Sequence, residues 1–222
     1  MNLTLFDLDG TLIPMDSDHA FGGFMVDVGW VDGVAWGARN DEFFAQYNAG
    51  TLDLPAYIDF ATSAFRSRPL DEALAMRERF MAEVMRPALR PEAVALVEKH
   101  RAAGDLMAIV TATNVFVTEP IALAFGVEHL IAVDLKRDAE GRFSGEIDGV
   151  PSFREGKIAR VENWLRGLGA QWRDFERVTF YSDSTNDLSL LERVSHPVAT
   201  NPSPSLAKIA TERGWPQLQL FA

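Results

Sequence analysis

The side chains in this sequence best equipped for chemistry fall in four short clusters. They are Asp7 and Asp9 in the run Asp-Leu-Asp-Gly-Thr (7–11), the segment Thr111-Ala112-Thr113-Asn114, Lys157, and Asp183 with Asp187 in the run Asp-Ser-Thr-Asn-Asp (183–187). A fold that gathers them brings at least three carboxylates to one place. Two unit charges about 4 Å apart repel by about 4 kcal/mol at an effective dielectric of about 20, so such a cluster needs a cation. Oxygen donors without His or Cys select a hard ion, and Mg2+ is the expected one. Taken singly, each residue has a plainer reading. A strand-end Asp serves as a helix cap or turn former, Thr111 simply ends a strand, and Lys157 is a solvated helix lysine. His19, His100, His129 and His196 show no metal-binding spacing and read as structural or surface residues.

The elements that must position these clusters follow from hydrophobic patterning. Leu3-Thr4-Leu5-Phe6 is a short apolar run ending at Asp7, which predicts a buried strand of a parallel sheet. From about Met15 to Arg90 the aromatics recur at helical spacing, punctuated by Gly29, Gly33, Gly37, Gly50 and Pro69. This stretch is expected to form several short helices with a small core of their own. After Pro91 strands and helices alternate. Helices are expected over 91–103, to about Phe125, and over 155–168, 188–193 and 205–213. Strands are expected over 106–110, 129–135, 178–181 and 197–199, with an exposed hairpin over 138–149 and an edge strand over 217–221. Such alternation predicts an α/β fold, a doubly wound parallel sheet covered on both faces. Residues 1–14 with 91–222 would form its core, and 15–90 a helical cap inserted after the first strand. The strand ends carrying Asp7, Thr111 and Asp183 would then share one edge, where open α/β sheets bind ligands.

Composition narrows the function classes. The chain has 222 residues, 47% hydrophobic and 24% charged, which fits one folded domain with an insert. Its net charge of −11 repels polyanions, so neither nucleic acid nor an anionic membrane is an expected partner. The absence of cysteine excludes disulfides, zinc–thiolate sites and thiol nucleophiles, and fits a cytoplasmic protein. The first residues lack the basic and apolar regions of a signal peptide, and no apolar run is long enough to span a bilayer. Oligomeric state is not legible.

The four clusters, in this order and spanning about residues 5 to 190, resemble the four motifs of the haloacid dehalogenase-like (HAD) phosphatases. The resemblance implies a Rossmann-like core with the insert as its cap. It implies a Mg2+-dependent phosphatase acting on a small phosphorylated metabolite. In that reading Asp7 is the nucleophile that forms an aspartyl-phosphate. Asp9 is the general acid and then the base. Thr111, Ala112, Thr113 and Lys157 hold the phosphoryl group. Asp7, the backbone carbonyl of Asp9, and Asp183 bind the metal, with Asn186 and Asp187 behind them. A phosphotransferase or mutase would share every one of these residues. A non-catalytic phosphoacceptor module would share the acids, the Thr and the Lys, but not the helical insert.

Within that superfamily the helical insert, the Asn186-Asp187 pair and the surroundings of Lys157 look like the phosphoserine-phosphatase group. Thr111-Ala112-Thr113-Asn114 departs from the Ser-Gly-Gly carried there and looks more like a histidinol-phosphatase-like branch. Phosphoserine and histidinol phosphate are therefore the leading substrates. Asp16 or Asp18 would favour a cationic substrate, as an acid near this place does in phosphoserine phosphatases, or else would cap a helix. Arg39, Arg66 and Arg68 are candidates for a substrate carboxylate only because they lie in the insert.

Overall fold

The computed structural model describes residues 1–221. The apolar run after Asn2 forms the central strand β1 (Leu3–Phe6), buried along its whole length. The chain then turns through the Asp-Leu-Asp-Gly-Thr run and enters α1 (Ser17–Asp27), α2 (Gly33–Ala49), α3 (Leu54–Arg66) and α4 (Leu70–Phe80). Their starts are set by side-chain caps. Asp16, Asp32 and Asp53 accept from the backbone N–H of His19, Val34 and Ala56. Helix α4 continues through a wide π-helical turn at Met81–Met85 into α5 (Arg86–Ala88). Pro87 cannot donate the N–H that a regular turn would need there.

The rest of the chain winds the sheet. It runs α6 (Pro91–Ala102), β2 (Leu106–Asn114), α7 (Val115–Ala124), β3 (His129–Val133), β4 (Leu135–Arg137), β5 (Phe143–Ile147) and α8 (Gly156–Gly167). It finishes with β6 (Val178–Ser182), α9 (Leu188–Arg193), β7 (His196–Thr200), α10 (Pro204–Arg213) and β8 (Gln217–Leu218). Six strands make a parallel sheet of order β3-β2-β1-β6-β7-β8, a Rossmann-like α/β fold as the patterning predicts. The strand order reverses at β1, so the crevice beyond β1, β2 and β6 is the fold's ligand-binding position.

Alternate residues of each strand feed opposite faces. Ala108 and Val110 pack with α8, α9 and α10, whereas Phe6, Ile109 and Tyr181 pack with α6 and α7. The second cluster does not stop at the sheet helices. It runs without a break into Phe21, Phe24, Phe65 and Phe80 of the inserted helices. The expectation of a separate small core is thus corrected: amphipathic helices this short bury enough apolar surface only by sharing it with the sheet side.

Three local expectations also change. Strand β2 continues past Val110 to Asn114, with an irregular register between those two residues. The run 129–135 breaks at Asp134 into β3 and β4. The hairpin, β4 paired with β5, is not free in solvent. Its Phe143 is buried edge-to-face against Phe65 and Phe116, each at 5.5 Å between ring centres. The edge strand is only two residues long. Among the described residues no helix is long and apolar enough to cross a membrane.

Candidate active site

Asp7 follows the last residue of β1, and β6 beside it ends at Ser182, next to Asp183. Parallel pairing therefore brings these two carboxylates to one edge, and Thr11 joins them. Its hydroxyl stands 3.3 Å from Asp7 Oδ2 and 3.2 Å from Asp183 Oδ1. Gly10 makes this turn possible. It sits at φ +73°, and a Cβ there would lie 2.4 Å from Asp183 Oδ2.

Lys157, in the first turn of α8, is buried between two of the acids. Its Nζ is 2.8 Å from Asp7 Oδ1 and 2.6 Å from Asp187 Oδ1. Asp187 in turn accepts from the Ser182 hydroxyl at 2.8 Å. Burial works against the ammonium, but the charges of Asp187 and Asp7 outweigh it and hold Lys157 above the usual lysine range. One ammonium cannot balance Asp7, Asp183 and Asp187. Burial, and then the charges of Asp7 and Asp187, push the Asp183 carboxyl well above the usual carboxylate range.

That excess of two negative charges, on oxygen donors alone, is the complement of a hard divalent cation. Asp7 and Asp183 are the side chains able to hold one. Among the described residues no three His, Cys, Asp or Glu side chains are grouped to bind a metal by themselves. The Asp9 carboxylate is engaged elsewhere, so only its backbone carbonyl is available to complete the set expected from the sequence. Asp9 Oδ1 accepts from the backbone N–H of Ser17 at 2.6 Å, and Oδ2 from the hydroxyls of Thr113 at 2.8 Å and Thr111 at 3.4 Å. Burial and the charge of Asp16 push the Asp9 carboxyl up to about 6, against the bonds from Ser17 and Thr113.

Over Asp9 lies a cavity of about 30 Å³ lined in part by the inserted helices. Ala112 and Thr113 line its floor. Asp16, Asp18 and His19 of the α1 entry line it together with Phe43, Phe44, Tyr47 and Tyr57. Asp16 does cap α1, as its plainer reading had it, and also faces this space. Asp18 is held by Asn114, whose Nδ2 donates to both carboxylate oxygens at 3.1 and 3.2 Å. Burial pushes Asp18 up to about 7, despite its bond to the Tyr57 hydroxyl.

The arginine candidates are not here. Arg39 pairs with Glu42, Arg66 with Asp59, and Arg68 donates to the Trp30 carbonyl. No Lys or Arg lines the cavity. His19, read from sequence as structural or surface, does line it, stacked on Phe44 with ring centres 4.4 Å apart. The remaining three histidines stand outside it. Asn186 sits at the seam with the insert, its Nδ2 3.5 Å from the Tyr47 carbonyl. Thr11 and His19 were legible as neighbours of Asp9 and Asp18. Their contacts were not, because the partners lie up to 172 residues away.

Comparison with known proteins agrees with this arrangement. The family model described as haloacid dehalogenase-like hydrolase matches residues 4–192. A histidinol-phosphatase of Neisseria meningitidis serogroup C (strain 8013) is 40% identical over 217 residues, 98% of both chains. A solved protein of unknown function from Bordetella pertussis Tohama I superposes with a TM-score of 0.94 at 48% identity, over 99% of both chains. A substrate-bound phosphoserine phosphatase superposes with a TM-score of 0.68, over 98% of this chain and 92% of that one. At 16% identity that is a likeness of fold alone. With a family model spanning most of its length and a full-length relative at this identity, the chain belongs to the haloacid dehalogenase-like hydrolase family.

Proposed function

We propose that this hydrolase is a phosphatase that cleaves a small phosphomonoester through an aspartyl-phosphate on Asp7. The observation that carries the reading is the Lys157 ammonium shared by Asp7 and Asp187, beside an Asp183 carboxylate that the Thr11 hydroxyl links to Asp7. Lys157 and Thr11 fix the plane of the Asp7 carboxylate for attack on phosphorus. As the new P–O bond forms, the bond to the leaving alkoxide breaks. Asp9, with a pKa near 6, keeps a protonated fraction near neutrality and gives that proton to the alkoxide. Ionised Asp9 then takes a proton from water. The water oxygen attacks phosphorus, phosphate leaves, and Asp7 is restored. Thr111, Ala112, Thr113 and Lys157 hold the phosphoryl oxygens during both steps. Asp7, Asp183 and the Asp9 carbonyl, with Asn186 and Asp187 behind them, would hold Mg2+, which would supply charge neutralisation.

The lining of the cavity favours one substrate class. Three carboxylates, Asp9, Asp16 and Asp18, face it with aromatic rings and with no Lys or Arg. A leaving group that carries a carboxylate, as phosphoserine does, would meet these acids there without a Lys or Arg to pair with. An amino alcohol with a flat ring and no carboxylate suits it, and histidinol phosphate has that chemistry. The full-length relative named histidinol-phosphatase supports the same choice. Steady-state hydrolysis of the two compounds is the test. Like-charge contact costs several kcal/mol, so kcat/KM for histidinol phosphate should exceed that for phosphoserine by at least about 100-fold. Both activities should vanish with EDTA. Equal rates would overturn the substrate choice, and EDTA-resistant turnover would overturn the metal.

A further inference from the structure

Asn201 lies in the loop between β7 and α10, outside every motif above, and its backbone is left-handed at φ +46°. That conformation is uncommon without glycine, although Asn tolerates it better than most residues. The side chain uses both ends of its amide. Nδ2 donates to the carbonyls of Gly10 at 2.9 Å and Thr11 at 3.2 Å. Oδ1 accepts from the backbone N–H of Leu220 at 2.6 Å and of Phe221 at 3.2 Å. Two N–H donors on one side and two carbonyls on the other allow only one orientation of the amide.

The turn it grips is the one that sets the spacing of the two carboxylates. Thr11 bridges Asp7 and Asp183, and the Gly10 Cα packs against the Asp183 carboxyl. The same loop holds Asp183 directly, since the Ser203 N–H donates to the Asp183 carbonyl at 2.9 Å. The loop after β7 therefore grips both halves of the carboxylate pair, and the segment after β8 holds that grip in place.

We propose that Asn201 is a positioning residue for the Asp7–Asp183 pair, and that the backbone of Leu220 and Phe221 acts through it as a strap on the catalytic turn. The inference rests on the phosphatase reading for its activity readout, but not for its binding readout. Asn201→Gly removes the amide while suiting the left-handed backbone. A purely structural role would lower the melting temperature through the lost hydrogen bonds and leave the kinetics normal.

The geometric role predicts something else. With p-nitrophenyl phosphate, kcat should fall about 10- to 100-fold at a KM changed by less than about twofold. Mg2+ titrated into the substrate-free protein should bind at least about threefold more weakly. Leu220→Pro deletes one strap donor and leaves Asn201 in place. It should lower kcat in the same direction, and combining it with Asn201→Gly should add nothing further. If Asn201→Gly is too unstable to assay, Leu220→Pro decides the matter. Parental kcat and Mg2+ affinity in either folded variant would overturn the proposal, as would full additivity in the pair. A parent that binds Mg2+ but does not hydrolyse the ester would instead count against the phosphatase reading, with Mg2+ affinity still testing Asn201.

Discussion

At the scale of single residues, the account depends on one buried ammonium serving two carboxylates. Lys157→Ala should leave Asp7 and Asp187 facing each other without a cation, at a cost of about 3–5 kcal/mol in urea unfolding. A loss below about 1 kcal/mol would show that the pair is not held as described. Asp18 gives a pH test. Its carboxyl is pushed up to about 7 by burial, so its neutral form favours the folded state. That contribution is fully present below the ordinary carboxylate range and is lost as pH rises through about 7. Asp18→Asn stays neutral throughout. Its melting temperature relative to the parent should therefore rise from about pH 5 to about pH 8, and a flat difference would contradict the shift. The acids and the lysine were legible in the sequence only as an ordered set that resembles the four motifs of the family. The contacts of Thr11, His19 and Asn201 were not, because their partners are brought to them only by the folded chain.

At the scale of elements, the strand ends were readable and the surfaces between elements were not. Short apolar runs ending in Asp7, Thr111 and Asp183 mark parallel strands, and β1, β2 and β6 place those residues on one edge. Periodicity carries no information about what a hairpin touches, so Phe143 seated on Phe65 and Phe116 could not be foreseen. The cavity under the inserted helices is about 30 Å³. The proposed mechanism predicts that residues 15–90 act as a lid over this cavity. The seam is held by Asn186 on the Tyr47 carbonyl and by the Arg154 guanidinium on the Gly50 carbonyl at the end of α2. The chain has no cysteine, so a cysteine pair engineered across this seam can be oxidised selectively. The oxidised form should turn over at least about 10-fold more slowly and recover on reduction. Unchanged turnover in the oxidised form would exclude lid motion at this seam.

At the scale of the whole molecule, one buried apolar cluster runs from the sheet face into the inserted helices, and Phe116 sits where α7, α3 and the hairpin meet. The fold should therefore unfold as one unit, with the same urea midpoint by tryptophan fluorescence and by circular dichroism. Phe116→Ala should lower stability by about 3–5 kcal/mol in that single transition. Two separated transitions would mean that the insert folds on a core of its own. In the proposed mechanism this architecture presents Asp7 to phosphorus. The most direct measurement is to mix the Mg2+-loaded protein with histidinol phosphate, quench in acid, reduce with borohydride and map the peptides. An aspartyl-phosphate would appear as homoserine at position 7, and Asp7→Asn would show neither homoserine nor turnover. Continued turnover with an unmodified Asp7, or homoserine at another position, would contradict the account.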